Sequence, residues 1–266
     1  MAKKKPKTTN EADQASQPGP ATEQQPDLAW VKAAYCFHTF AYRDPRSAFS
    51  SGIGLPVVSP TTVLLGIGSA LFNLGEAERA HEFLAVAHLC RVLVDAPKGM
   101  MFFRAFHQLR RYESGIMKTP KAKFKPNARL GLTLINQGTR EYGLPDGSLR
   151  VYVGAPKDQV QSVSLALRNR DHLGTHDSLC SLVGDVEFCD EPKDVVYLPL
   201  DGDQLKIPEA SGLTVVTLSR FKGTAPIRPT VGHHWWMSGG DDTELVPYLI
   251  KGRFRGTTRG KIYTKG

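Results

Sequence analysis

The chain has 266 residues, 41% of them apolar, and a formal charge of +8 at neutral pH. That length is enough to bury a substantial core. No apolar run approaches the roughly 20 residues a membrane span needs, and the N-terminal lysines precede no apolar stretch of the kind a signal peptide carries. Cys36, Cys90, Cys180 and Cys189 lie far apart, with no C-x-x-C spacing. This excludes a disulfide scaffold or zinc module and points to a reducing, cytoplasmic compartment.

Residues 1–27, rich in Lys, then Gln, Thr, Pro and Glu, lack periodic apolar positions and are expected to be a disordered tail. From Leu28 to Phe40, β-branched and aromatic residues in partial alternation predict a strand. A loop over Ala41–Val58 carries Arg43 and Arg46. A helix is then predicted with Ser59 as N-cap, Pro60 in its first turn and Gly75 past its end, and with Val63, Leu64, Ile67, Leu71 and Leu74 on one face. A second helix is expected from about Glu76 to Val94.

The segment from Lys98 to Arg129 breaks this pattern. It holds nine Lys or Arg against one acid, Glu113, a surplus equal to that of the whole chain. Phe102, Phe103, Phe106, Tyr112 and Phe124 are threaded through the charges. Cations hold phosphates and flat rings stack on bases, so the mixture suits single-stranded nucleic acid, whereas its bland reading is a solvated basic loop.

Beyond it, strands are predicted at Leu130–Asn136 and Leu149–Val153 across the turn sequence Pro145-Asp146-Gly147. A helix from Lys157 to Asn169 and a strand over Leu179–Phe188 follow. Strand, helices, two strands, helix, strand is the order of an α+β, ferredoxin-like βαββαβ unit over residues 28–190. The basic segment, about 98–129, is expected between the first helical region and the second strand. Residues 191–266 form a β-rich extension with candidate strands at Asp194–Pro199, Leu213–Arg220, Leu245–Ile250 and Lys261–Tyr263. Its last sixteen residues carry six bases and no acid, among them Arg253 and Arg255.

Several motifs carry less than they suggest. Gly66-Ile-Gly68 lies inside a predicted helix without a third glycine, so it marks close packing of that helix on a sheet instead of a nucleotide loop. His172, His176 and Asp177 are interrupted by Gly174, which removes helical i, i+4 metal geometry; no metal or cofactor is expected. His233-His234-Trp235-Trp236 is a candidate interface, able to stack bases or seat a partner. His107, Tyr112 and Lys118 supply the base, acid and cation of a metal-independent ribonuclease, but nearly any basic RNA-binding loop contains those types.

Three segments together resemble a known family. Leu55-Pro56-Val57-Val58-Ser59-Pro60-Thr61-Thr62-Val63-Leu64-Leu65-Gly66 resembles the "PPPTTLLG" opening of the first helix in the fifth Cas protein family. Thr139-Arg140-Glu141-Tyr142 and Leu149-Arg150-Val151-Tyr152-Val153 resemble its "REYL…VYL" strands. Leu173–Val183 is similar to its "YLGxSESLVxV" segment, with His172 where the family has tyrosine. These proteins are RAMP-type subunits of type I CRISPR Cascade.

The resemblance implies a ferredoxin-like (RAMP/RRM-like) domain whose inserted basic thumb holds the 5′ handle of the crRNA. Implied neighbours are the repeated backbone subunit of the seventh Cas family and the large subunit, with target DNA near the PAM a candidate contact. A non-catalytic RNA-binding role follows. Arg43 and Arg46 are candidates for handle phosphates, Arg104, Arg110, Arg111, Lys118, Lys121, Lys123 and Lys125 for RNA backbone, and Tyr112 and Phe124 for base stacking. Two other functions fit the residues: a CRISPR endoribonuclease of the same fold, using His107, Tyr112 or Lys118, and a protein-only adaptor docking through its basic insertion.

Overall fold

The computed structural model describes residues 27–47, 51–112, 132–175, 177–200, 212–222, 243–258 and 260–266. Strand β1 (Leu28–Phe37) is followed by the two-residue β2 (Ser51–Gly52) and helices α1 (Pro60–Asn73) and α2 (Ala77–Val86). A single 3-10 turn leads into β3 (Arg91–Asp95), then come β4 (Gly99–Tyr112), β5 (Leu132–Asp146), β6 (Leu149–Pro156), α3 (Val160–Arg168), β7 (Cys180–Leu182) and β8 (Glu187–Cys189). The C-terminal strands are β9 (Tyr197–Pro199), β10 (Leu213–Phe221), β11 (Thr243–Lys251), β12 (Arg253–Thr257) and β13 (Gly260–Thr264).

The result is a mixed α/β fold whose described strands form three mostly antiparallel sheets. The first runs β3-β6-β1-β7, with β8 also paired to β1; the second runs β12-β13-β4-β5-β2; the third runs β10-β11-β9. The pairing of β2 with β5 is parallel.

Helix α1 begins where its sequence predicts. The Ser59 hydroxyl accepts from the Thr62 N–H at 3.2 Å, and Pro60 stands in the first turn. Its C-terminus closes on Gly75 at φ +82°, with the Gly75 and Glu76 N–H groups donating to Phe72 and Leu71 carbonyls. That reverse turn needs a left-handed residue, which glycine adopts without strain. Helices α1 and α3 pack apolar faces on the first sheet, Ile67, Leu71, Val163 and Leu167 sharing one core with Val31, Ala33, Val151 and Val153, and α2 packs Phe83 and Leu84 into the same core beside the other two helices. The same buried cluster continues into Met100, Phe102 and Tyr263 of the second sheet and Tyr197, Leu218 and Tyr248 of the third.

The strand predicted over Leu179–Phe188 is split into β7 and β8, β12 was not predicted, and two further differences bear on the basic segment. The second helix stops at Val86, and Arg91–Asp95 is strand β3, paired with β6. Val92, Leu93 and Val94 are all buried at that sheet edge, and two of them are β-branched, which suits a strand against a sheet better than a helix. The basic segment therefore follows the second strand of the first sheet and does not precede it. Secondly, Asp146-Gly147 is not a hairpin between predicted partners. Gly147, at φ +89°, carries the chain from β5 in the second sheet to β6 in the first.

The described part of the basic segment is strand from Gly99 onward. β4 runs 14 residues and pairs antiparallel with β5 along its length, with a register shift between Leu109 and Arg110. A two-stranded ribbon is marginal in water, so its root is braced. β13 adds to the other side of β4 from Gly99 to Phe103. The Glu141 side chain on β5, only 8% exposed, receives Lys261 Nζ at 2.9 Å, Arg104 Nε at 3.3 Å and the Gly54 N–H at 3.0 Å. Lys261 also donates to the Gly54 carbonyl at 2.8 Å and lies over the Phe102 and Phe254 rings.

Burial pushes the Glu141 carboxyl up, but the hydrogen bonds from Lys261, Gly54 and Arg104 together outweigh it and hold the group below its ordinary 4.5. A carboxyl with a depressed folded-state pKa contributes stability above its unfolded value, and that contribution is lost as pH falls through the folded one. Glu141→Gln should therefore melt below the parent protein at pH 7, and the gap should narrow steadily as the pH is lowered beneath about 4.5. Thermal melts of both proteins across that range check this; a gap that is constant with pH would contradict it.

Candidate nucleic-acid interface

A cleft of about 1050 Å³ opens at the root of the ribbon. One wall is α1, whose residues Thr62, Gly66, Ser69 and Asn73 recur at helical spacing and put small and polar groups on a single face. The loop after β1 supplies Tyr42, Arg43 and Pro45, the base of β5 supplies Arg140 and Glu141, and the turn after α3 supplies Arg170, His172, Thr175 and Asp177.

Three guanidinium groups thus meet at one opening. Arg170 is the deepest, 8% exposed. Its Nε donates to the His172 carbonyl at 3.1 Å and its Nη1 to the Val63 carbonyl of α1 at 3.2 Å. The guanidinium fits because residue 66 is glycine: a Cβ there would overlap it. Gly68, by contrast, makes room for Leu84 of α2. The two glycines predicted to pack a helix on a sheet therefore pack it on an arginine and on a second helix. Burial lowers the Arg170 pKa, yet a guanidinium starts so high that it stays charged, and no carboxylate is bonded to it among the described residues.

The other two cations are nearer the surface. Arg43 forms an isolated bridge with Gly54. Arg140 Nη1 lies 3.6 Å from Asp177 Oδ2, to which the Tyr142 hydroxyl also donates at 3.2 Å. The Thr61 hydroxyl, also lining the cleft, is buried without a hydrogen-bond partner. His172 Nδ1 sits 2.6 Å from Asp171 Oδ1, and that contact holds the Asp171 carboxyl below its ordinary range. The donors around the cleft can bind phosphate and orient it.

Of the sequence-predicted residues, Arg43 lines the cleft. Arg46 stands at the end of the same loop and is forked on Asp44, Nη2 at 3.0 Å and Nε at 3.3 Å, so its charge is partly offset. Arg104 is 70% exposed at the ribbon root, against Glu141. The backbone of Arg110, Arg111 and Tyr112 continues β4 beyond the register shift, opposite Leu134, Thr133 and Leu132. Lys118, Lys121, Lys123, Phe124 and Lys125, with His233, His234, Trp235 and Trp236, lie outside the described residues. Arg253 and Arg255 are on β12, the opposite edge of the second sheet from β2. Arg140, Arg170 and Thr61 were absent from the predicted set. Arg140 and Thr61 lie inside the resemblance segments, and a glycine in a helix interior is the trace that Arg170 leaves.

No family model matches the chain, and no curated protein matches it. Among solved structures it is similar to a CRISPR protein from Archaeoglobus fulgidus, at 12% identity and a TM-score of 0.41, over 90% of this chain and 93% of that one. It is similar to a chain of a CRISPR RNA-guided surveillance complex at 15% identity and a TM-score of 0.35, over 72% and 76%. A chain of the type III-B Cmr-beta complex bound to cognate target RNA and AMPPnP matches at 9% identity and a TM-score of 0.35, over 89% and 86%. Likenesses this slight carry no function to this chain.

The Arg170 notch makes a specific demand. Gly66→Ala should destabilise the parent protein by roughly 1–3 kcal/mol, the usual cost of overpacking. In an Arg170→Ala background the same substitution should cost far less, since the clashing group is gone. Urea unfolding of the four proteins measures the coupling; an additive result would show that the guanidinium does not occupy the notch.

Proposed function

We propose that the chain is a non-catalytic RNA-binding subunit of a type I CRISPR Cascade, of the fifth Cas family's RAMP type, and that it seats the 5′ handle of the crRNA in the cleft at the root of its basic ribbon. One observation carries this reading. Of the stretches that resemble the family, Leu55–Gly66, Thr139–Tyr142 and Leu173–Val183 are far apart in sequence, yet each contributes to the wall of the same cleft through Thr61, Thr62 and Gly66, through Arg140 and Glu141, and through Gly174, Thr175 and Asp177, while Leu149–Val153 lies in the buried strand β6. A chance likeness of core-forming fragments has no reason to converge on one solvent-facing opening.

The fold supports the same reading. Without the ribbon, the first half of the chain runs β1, α1 and α2, β3, β6, α3, β7, and the sheet order β3-β6-β1-β7 supports reading it as a ferredoxin-like βαββαβ unit. In this reading the ribbon is the thumb. In this account Arg43, Arg140 and Arg170 receive handle phosphates, which fixes the strand's path without reading its bases. The basic length of β4 extends the grip along the strand, through Arg104, Arg110 and Arg111. The backbone subunit of the seventh Cas family and the large subunit are the neighbours this role entails.

Binding of repeat-derived RNA should fall steeply with salt, because each phosphate that a cation neutralises releases counterions. Arg43→Ala combined with Arg140→Ala should flatten the log–log salt dependence by about 0.7 for each phosphate no longer neutralised. Fluorescence anisotropy over a salt series measures the slope; a slope equal to that of the parent protein would remove both residues from the interface.

A further inference from the structure

The second sheet has one face turned to the core and one to solvent. Met100, Phe102, Tyr263 and Phe254 point inward. The opposite face should alternate to polar residues, and at its centre it does not. Ile262 of β13 pairs with Met101 of β4, which pairs with Leu144 of β5, so the three stand side by side across three strands. They are 38%, 50% and 39% exposed. Single exposed apolar residues are ordinary, but a contiguous row of three is a patch. At its β12 end the row meets Arg255, the register partner of Ile262, with Arg253 one row along on the same face. Both arginines are exposed, and neither makes an ion pair among the described residues.

We infer that this face is a protein-docking surface, and that its partner presents an apolar patch flanked by carboxylates facing Arg253 and Arg255. Methionine and aliphatic side chains beside arginines match the composition of interface centres and their edges. Two unopposed guanidiniums about 7 Å apart along a strand select an acidic complement. RNA is the weaker occupant, because the exposed row has no ring on which a base can stack. The nearest ring, Phe103, already lies stacked on Tyr142, with centroids 5.9 Å apart. A second copy of this chain fits poorly as well, since the strip and the rows on either side of it contribute one carboxylate, Asp146, against the two arginines. This surface goes beyond the RNA reading and is independent of the cleft's cations.

The test uses the full chain in the RNA-bound assembly purified from cells, with p-benzoylphenylalanine in place of Met101 and, as control, in place of the equally exposed Leu198 of the third sheet. Irradiation should give one adduct specific to position 101, to a stoichiometric protein component of the assembly, through a peptide with apolar residues between acidic ones. Arg253→Glu with Arg255→Glu should lower retention of that component at least about tenfold while RNA retention is unchanged. Lysines at the partner's crosslinked acidic positions should restore it. A position-101 adduct to RNA, an adduct to a second copy, no adduct, or a partner retained by the double variant would each overturn the proposal. If the parent assembly holds no RNA, the functional reading fails, and the adduct still decides this one.

Discussion

Much of this molecule depends on one buried carboxylate. Glu141 sits at the root of a ribbon whose length makes it unstable alone, and it gathers Lys261 from the C-terminal β13, Arg104 from β4 and a backbone N–H at Gly54. Removing water from a charge is costly unless it is paired and hydrogen-bonded; here three donors from separate parts of the chain do the pairing. The consequence is topological. The last strand of the protein is clamped to the base of the basic ribbon, so the C-terminal strands work as a buttress and share one core with the rest.

The cleft beside that root is built on the opposite principle. Its deepest cation, Arg170, is buried against carbonyl oxygens with no carboxylate bonded to it among the described residues. Where Glu141 is neutralised within the fold, the Arg170 guanidinium, which lines the cleft, is held by carbonyl oxygens alone. An anion reaching the cleft meets groups already fixed in place and already desolvated, which is the condition for a strong charged hydrogen bond. The charge at the root of the ribbon is thus neutralised within the fold, and the charge in the cleft is not.

What the sequence discloses and what it hides follow from the range of the interactions. The cap at Ser59, the proline in the first turn and the glycine closing α1 act within a few residues and were legible. The strand at Arg91–Asp95 was hidden by a helical pattern running into it, because only pairing with β6 decides its state. Pro145-Asp146-Gly147 announces a turn but cannot announce that the chain changes sheets there. The Arg170 site was invisible for the same reason: its acceptor on α1 lies 107 residues away. The concentration of charge and rings in the basic segment was legible, while the form of its described part, Gly99–Tyr112, as a braced ribbon was set by β13 and by Glu141.

Mapping where RNA touches the chain tests the central claim most directly. Repeat-derived RNA carrying 4-thiouridine in its 5′ handle, irradiated on the intact protein, should crosslink to peptides containing Tyr42 and Arg43, Arg140 to Tyr142, or Arg170 to Thr175. An unrelated strand of equal length should not reproduce those crosslinks. Crosslinks confined to β9, β10 or β11, or the same crosslinks with both RNAs, would contradict the account.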